Sequence, residues 1–218
     1  MAYTFNGSNQ YIEGTQGVVA GGVTPVTLAC WVNPSSSGSI VNALEMGRQA
    51  TGSNSSRMSV GISSGTQVNA SCSDESSTTS GQTSTTTSTG VWQHICGVFA
   101  SSTSRSAYLN GGGKGTDTTS RTPNSTLDRT RVGCRCSSGS LAGFFPGSIA
   151  EAAIWNVALS DAEVALLAKG LCPLLMRPQN IVFYMPLIRD LVNLKAIGTP
   201  SAVNSPTVAN HPRIIYSL

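Results

Sequence analysis

Any chemistry this chain performs must come from ten acidic residues, two histidines and six cysteines spread over 218 positions. Glycoside hydrolysis needs two facing carboxylates, about 5 Å apart in a retaining enzyme. On a strand that means acids at alternate positions, because successive side chains point to opposite faces. No segment carries that pattern. Glu151 comes closest, but Ala152 and Ala153 follow it. Alone, Glu151 reads as a strand-end carboxylate that faces solvent or pairs with an arginine. His94 and His211 lie far from any Gly-x-Ser-x-Gly turn that would present a nucleophile. His94 shares strand parity with Trp92 and Cys96 and reads as a hydrogen-bonded structural residue. A Cys96–His94 catalytic pair is poorly oriented on one strand face and lacks a third group to align it.

The cysteines, Cys30, Cys72, Cys96, Cys134, Cys136 and Cys172, are dispersed, and several sit in apolar segments. Cysteine there behaves as a small buried hydrophobe. With no export signal in view, they read as free thiols of a reducing cytoplasm. Cys134-Arg135-Cys136 is one residue too tight for the usual zinc pair. Calcium needs several converging oxygen ligands. Asp74, Asp117 and Asp128 lie near predicted loops, but nothing in their spacing brings them together. No catalytic residue, cofactor or metal site is assigned.

Net charge is +3 and only 11% of residues are charged. Arg129, Arg131 and Arg135 are the nearest approach to a basic patch, and Arg129 and Arg131 fall on one strand face as a small ridge. Without aromatic interleaving this does not describe a nucleic-acid interface. Arg129 and Arg131, with Phe144 and Phe145 at a glycine corner, are the candidate glycan or partner surface. No apolar run approaches the ~20 residues that span a bilayer. The Met1-Ala2-Tyr3-Thr4-Phe5 start has no basic or apolar leader, so no signal peptide is expected.

The elements that would position these residues are mostly strands. Val26 to Val32, Ser39 to Leu44, Arg57 to Ile62, Gln67 to Cys72, Trp92 to Ala100, Arg105 to Asn110, Lys114 to Thr119, Arg129 to Arg135, Gly147 to Trp155 and Ile181 to Leu187 carry strand-forming residues between turn formers. Asn110-Gly111-Gly112-Gly113 supplies the positive φ angles of a hairpin turn. Ser76 to Gly90, almost wholly Ser and Thr, reads as a flexible loop with an edge strand as the alternative. One short helix near 160–169 is predicted, opened by the capping box Ser160-Asp161-Ala162-Glu163 and ended at Gly170. Ser, Thr and Gly in place of charge suit short strands and turns. The length fits one all-β domain.

The order of these elements resembles the laminin-G-like, concanavalin A-like jelly rolls. Phe5-Asn6-Gly7-Ser8-Asn9-Gln10-Tyr11-Ile12 is similar to their opening block, and Val26-Thr27-Leu28-Ala29-Cys30-Trp31-Val32-Asn33-Pro34 to their tryptophan-bearing strand. Trp92-Gln93-His94-Ile95 and Ala107-Tyr108-Leu109-Asn110-Gly111 resemble the next pair. Phe145-Pro146-Gly147-Ser148-Ile149-Ala150-Glu151 with Ile154-Trp155-Asn156-Val157-Ala158-Leu159-Ser160 resembles the last. The resemblance implies an all-β fold: an antiparallel two-sheet jelly-roll sandwich over residues 1–190, its tryptophans filling the space between the sheets. Residues 191–218 are expected to form a C-terminal arm that packs on the domain or on a neighbouring subunit.

Pro173-Leu174-Leu175-Met176-Arg177-Pro178, Phe183-Tyr184-Met185-Pro186-Leu187 and His211-Pro212-Arg213-Ile214-Ile215 are similar to tails on laminin-G-like proteins of tailed bacteriophages. That resemblance implies a non-enzymatic virion protein, a capsid decoration assembled in the host cytoplasm. Its expected partners are the major capsid protein, or another virion protein, and copies of itself, with a homotrimer favoured. His211, Arg213, Ile214, Ile215 and Tyr216 would make the partner contact. The alternative is a carbohydrate-binding module for a host or environmental glycan. Neither nucleic acid nor membrane is an expected partner.

Overall fold

The computed structural model describes residues 2–14, 24–48, 56–123, 127–188, 191–195 and 200–216. In chain order the first strands are β1 (Ala2–Asn6), β2 (Tyr11–Gly14), β3 (Val26–Pro34), β4 (Val41–Gly47), β5 (Arg57–Ile62), β6 (Gln67–Ser73) and β7 (Thr78–Thr86). Next come β8 (Gln93–Ser101), β9 (Ser104–Leu109), β10 (Gly112–Asp117), β11 (Arg129–Val132), β12 (Arg135–Ser137), β13 (Ser140–Ala142) and β14 (Pro146–Trp155). Helix α1 (Asp161–Ala168) and a short 3-10 turn (Pro173–Leu175) precede β15 (Ile181–Met185), β16 (Ser201–Val203) and β17 (Thr207–Ala209). They form two large antiparallel sheets and the small β12–β13 hairpin. The first sheet has the order β10-β9-β8-β3-β14-β1-β17, with β15 also on β14; the second has the order β16-β2-β11-β4-β5-β6-β7.

The sandwich core forms where alternating apolar residues of both sheets meet. Val26, Leu28, Cys30 and Val32 of β3 face Met58, Val60 and Ile62 of β5 and Val68, Ala70 and Cys72 of β6 within one buried cluster. A second apolar cluster covers the outer face of the first sheet. There Ala29, Cys96, Val98, Tyr108, Ala153 and Trp155 pack under Val164 and Leu167 of α1 and under Met176. The first sheet needs this cover because β14 is apolar on both faces. Helix α1 begins with the expected capping box: Ser160 N–H donates to Glu163 Oε2 at 2.8 Å, and Glu163 N–H donates to Ser160 Oγ at 3.4 Å.

Two expectations change. The tryptophans do not fill the space between the sheets. Trp155 is fully buried in the outer cluster, its indole N–H donating to the Met176 carbonyl at 2.8 Å. Trp31 and Trp92 are only half-buried. Trp31 follows Ala29 to the outer side of β3, where its ring meets His94 edge-on. Most of the Ser/Thr stretch, expected as a loop, is the edge strand β7, paired with β6 from Ser73↔Thr78 to Gln67↔Thr86. Threonine's branched Cβ suits a strand, and the edge tolerates its hydroxyls. Edge β7 also abuts edge β10 of the other sheet, where Gly81 and Gly115 let the backbones touch. A Cβ on Gly115 would stand 1.5 Å from the Gln82 carbonyl oxygen. Buried Arg105 ties the seam by donating to Thr79 and Asp117.

The opposite side is closed by the arm. β16 pairs with β2 and β17 with β1, so residues 201–209 add one strand to each sheet. Beyond them Ile215 bonds back to the helix end, its N–H donating to the Gly170 carbonyl at 2.7 Å and its carbonyl accepting from Cys172 N–H at 3.0 Å.

Candidate functional site

The second sheet keeps its outer face polar. The register aligns Glu13, Arg131, Glu45, Ser59, Ser71 and Ser80 in one row across β2, β11, β4, β5, β6 and β7. Arg57, Ser73 and Thr78 flank it on one side, and Gly61, Asn69 and Gln82 on the other. The row has two halves. In the ionic half, Arg131 donates from Nε to Glu13 Oε2 at 2.6 Å and from Nη1 to Glu45 Oε1 at 2.7 Å. Glu45 is fully buried and also accepts from the Cys136 N–H at 3.0 Å. Burial pushes its carboxyl up, and Arg131 opposes that shift.

The other half is a trough. Small hydroxyls and amides at Ser59, Ser71, Asn69 and Ser80 leave a cleft of about 370 Å³, and the β12–β13 hairpin flanks it. Arg135 of the hairpin donates from Nη1 to Asn42 Oδ1 at 2.8 Å. Arg57 donates to the Cys136 carbonyl at 3.2 Å and to Thr78 Oγ1 at 3.3 Å. Neither a carboxylate nor an aromatic ring is among the described residues that line the cleft. The lining atoms Ser59 Oγ, Asn69 Oδ1 and Arg135 Nε are buried without a hydrogen-bond partner among the described residues. Buried polar atoms are nearly always paired, because desolvating one without compensation costs roughly 1–3 kcal/mol. Such atoms gathered in one cleft mark a surface suited to a polar ligand.

A family model described as concanavalin A-like lectin/glucanases matches residues 6–165. The chain belongs to that superfamily. Solved structures with the same sandwich include a putative carbohydrate binding protein from Bacteroides ovatus, with TM-score 0.64, 15% identity and 99% of this chain covered. This chain spans 61% of that protein's length. The CBM40 of the Ruminococcus gnavus IT-sialidase, bound to α2,6 sialyllactose, gives TM-score 0.60 and 15% identity over 77% of this chain and 96% of that one. A heptameric SAP-like pentraxin from Limulus polyphemus gives TM-score 0.58 and 17% identity over 77% and 81%. No curated protein matches the sequence.

Within this lectin/glucanase sandwich the residues singled out from sequence scatter. Arg131 is 1% exposed and serves the ion row, so it forms no ridge with Arg129, which lies near Glu13 and Asp128. Phe145 is fully buried in the core and offers no surface, whereas Phe144 is half-buried against Tyr11. Asp74, Asp117 and Asp128 pair with three different arginines, Arg121, Arg105 and Arg129. Among the described residues no three His, Cys, Asp or Glu side chains gather as a metal-holding group. All six cysteines are buried free thiols. His94 is buried, and burial pushes its imidazole down to about 3.

Glu151 departs most from its sequence reading. It neither faces solvent nor meets an arginine; it is 2% exposed at a β-bulge with φ +53°. Glu151 and Ala152 together oppose Cys30, which shifts β14 parity so that Ile149 and Ile154 both reach the core. Its carboxylate accepts from Tyr184 Oη at 2.6 Å and from Tyr216 Oη at 3.4 Å, and lies 3.0 Å from His211 Nε2. His211 and Tyr216, expected to reach a partner, are thus engaged within the domain. Arg213, Ile215 and Tyr216 still expose their side chains.

Of the cleft residues only Arg135 stood out in the sequence, as part of the basic patch. Ser59, Ser71 and Asn69 are of the commonest types, and Arg57 and Arg135 lie far apart in sequence. The available signal was the alternation Arg57-Met58-Ser59-Val60-Gly61-Ile62 beside Val68-Asn69-Ala70-Ser71-Cys72, which implies one wholly polar face over two adjacent strands.

Proposed function

We propose that the domain is a carbohydrate-binding module and that its glycan site is the cleft over β4, β5, β6 and β7. The observation that carries this reading is the cluster of buried, unpartnered Ser59 Oγ, Asn69 Oδ1 and Arg135 Nε in a trough of hydroxyls and amides. Sugar hydroxyls both donate and accept, so they match such a lining group for group. The neighbours described above favour this reading over the capsid-decoration one. Binding without hydrolysis fits the described lining, in which no carboxylate pair stands to act as acid and nucleophile.

Glycan-array binding followed by titration calorimetry tests it. The domain should bind at least one glycan, and Ser80→Phe, placed at the half-buried rim, should abolish that binding without lowering the melting temperature. Absence of binding to every glycan, or full binding by the plugged variant, would overturn the proposal.

A further inference from the structure

Among the described residues the cleft holds two guanidinium groups and no carboxylate. Arg57 and Arg135 both line it, together with Ser59, Ser71, Asn69 and Gln82. No carboxylate among the described residues stands within ion-pair distance of Arg135; its bond is to the neutral amide of Asn42. Burial and the adjacent Arg57 both push the Arg135 guanidinium down from its ordinary value, and Glu45 only partly offsets them. Glu45 and Glu13 are the two acids of the ion row, and against them stand three guanidinium groups, Arg131, Arg57 and Arg135. The trough therefore carries more positive charge than its own acids balance. It also lacks the aromatic platform on which neutral sugar rings commonly stack, so binding energy must come from directed polar contacts.

We infer that the glycan held in this cleft is acidic: a sugar bearing a carboxylate or sulfate that meets Arg135, with Arg57 beside it, while its ring hydroxyls meet Ser59, Ser71 and Asn69. This rests on the glycan-site reading above and specifies its ligand class. An anionic oxygen group on the Arg135 guanidinium relieves the repulsion between the two guanidinium groups. Charge-assisted bonds of this kind exceed neutral ones in strength, and Arg presents a fork suited to a planar acid.

The test titrates the wild-type domain with matched probes: oligogalacturonate against its methyl ester, sialyllactose against lactose, and a sulfated galactan oligosaccharide against the desulfated form. At least one acidic member should bind about ten-fold or more tighter than its neutral partner, and that margin should shrink as NaCl is raised. A carboxylate partner shows in the first two pairs, a sulfate partner in the third. Arg135→Gln should erase the margin, and Arg135→Lys should keep part of it. Equal binding of acidic and neutral probes, abolished by Ser80→Phe and untouched by Arg135→Gln, would overturn the acidic preference and leave the glycan site standing. No binding by any probe or by any arrayed glycan would overturn both. Because the matched-probe comparison uses the unaltered protein, it stands even if a variant folds poorly.

Discussion

The two sheets turn opposite chemistry outward. The centre of the first sheet is apolar on both faces, and there its outer side is covered by α1, the 3-10 turn and the fully buried Trp155. The second alternates over β5 and β6, and its outer side stays polar, with an ion row at one end and a trough at the other. A sheet face that is apolar must be covered, and the chain spends residues 156–180 on that cover. A face built from Ser, Asn and Arg needs no cover and is left for something from outside. The difference puts the covering apolar cluster on one side of the sandwich and the cleft proposed to hold glycan on the other.

Four measurements would sharpen or break this contrast. The largest effect belongs to Trp155→Ala, which empties the outer cluster and should cost about 3–5 kcal/mol by denaturant unfolding. A loss below 1 kcal/mol would mean the outer cover is dispensable. Next is His94 on the same side, whose imidazole stays neutral down to about 3. The unfolded chain protonates near pH 6.5, so below that value the unfolded state binds the proton and the folded state does not. This contribution is intact above pH 6.5 and declines by about 1.4 kcal/mol per unit as pH falls toward 3. Between pH 6.5 and 5, His94→Leu should lose about 2 kcal/mol less stability than the parent. Parallel pH profiles would place the ring in contact with water.

Ser160→Ala should remove the capping box and cost about 1 kcal/mol, read by thermal melting. The smallest effect is expected on the other sheet. Ser59→Ala deletes a buried hydroxyl that no described protein group satisfies, so stability should change by less than about 0.5 kcal/mol while glycan binding weakens. A loss above 1 kcal/mol would make the trough part of the scaffold and dissolve the contrast.

The sandwich was legible because each of its motif blocks joins a strand pattern to a turn signal that tertiary contacts reinforce. Asn110-Gly111 turns at positive φ as expected, and Ser160 to Glu163 caps the only α-helix of the described residues. The Ser/Thr stretch was harder to read, because composition alone does not separate a polar loop from a polar edge strand. Glu151 was misread for a related reason. Its partners Tyr184, His211 and Tyr216 lie 33 to 65 residues away, and the bulge that turns it inward reflects the parity β14 needs against β3. The arginine ridge failed because Glu13 and Glu45, remote in sequence, draw Arg131 under the surface. The cleft is a property of register: Ser59, Ser71 and Ser80 become neighbours only when three strands align.

The hem formed by β16 and β17 bears on how the chain is made. It follows the other described strands in chain order, yet it covers β1 and β2. Until residues 201–209 emerge from the ribosome, both sheets present a raw strand on the same flank. Such flanks template pairing with other chains. An interrupted product lacking this segment would carry an otherwise complete sandwich with two adhesive borders, so premature termination near residue 200 should yield aggregates rather than a smaller soluble domain.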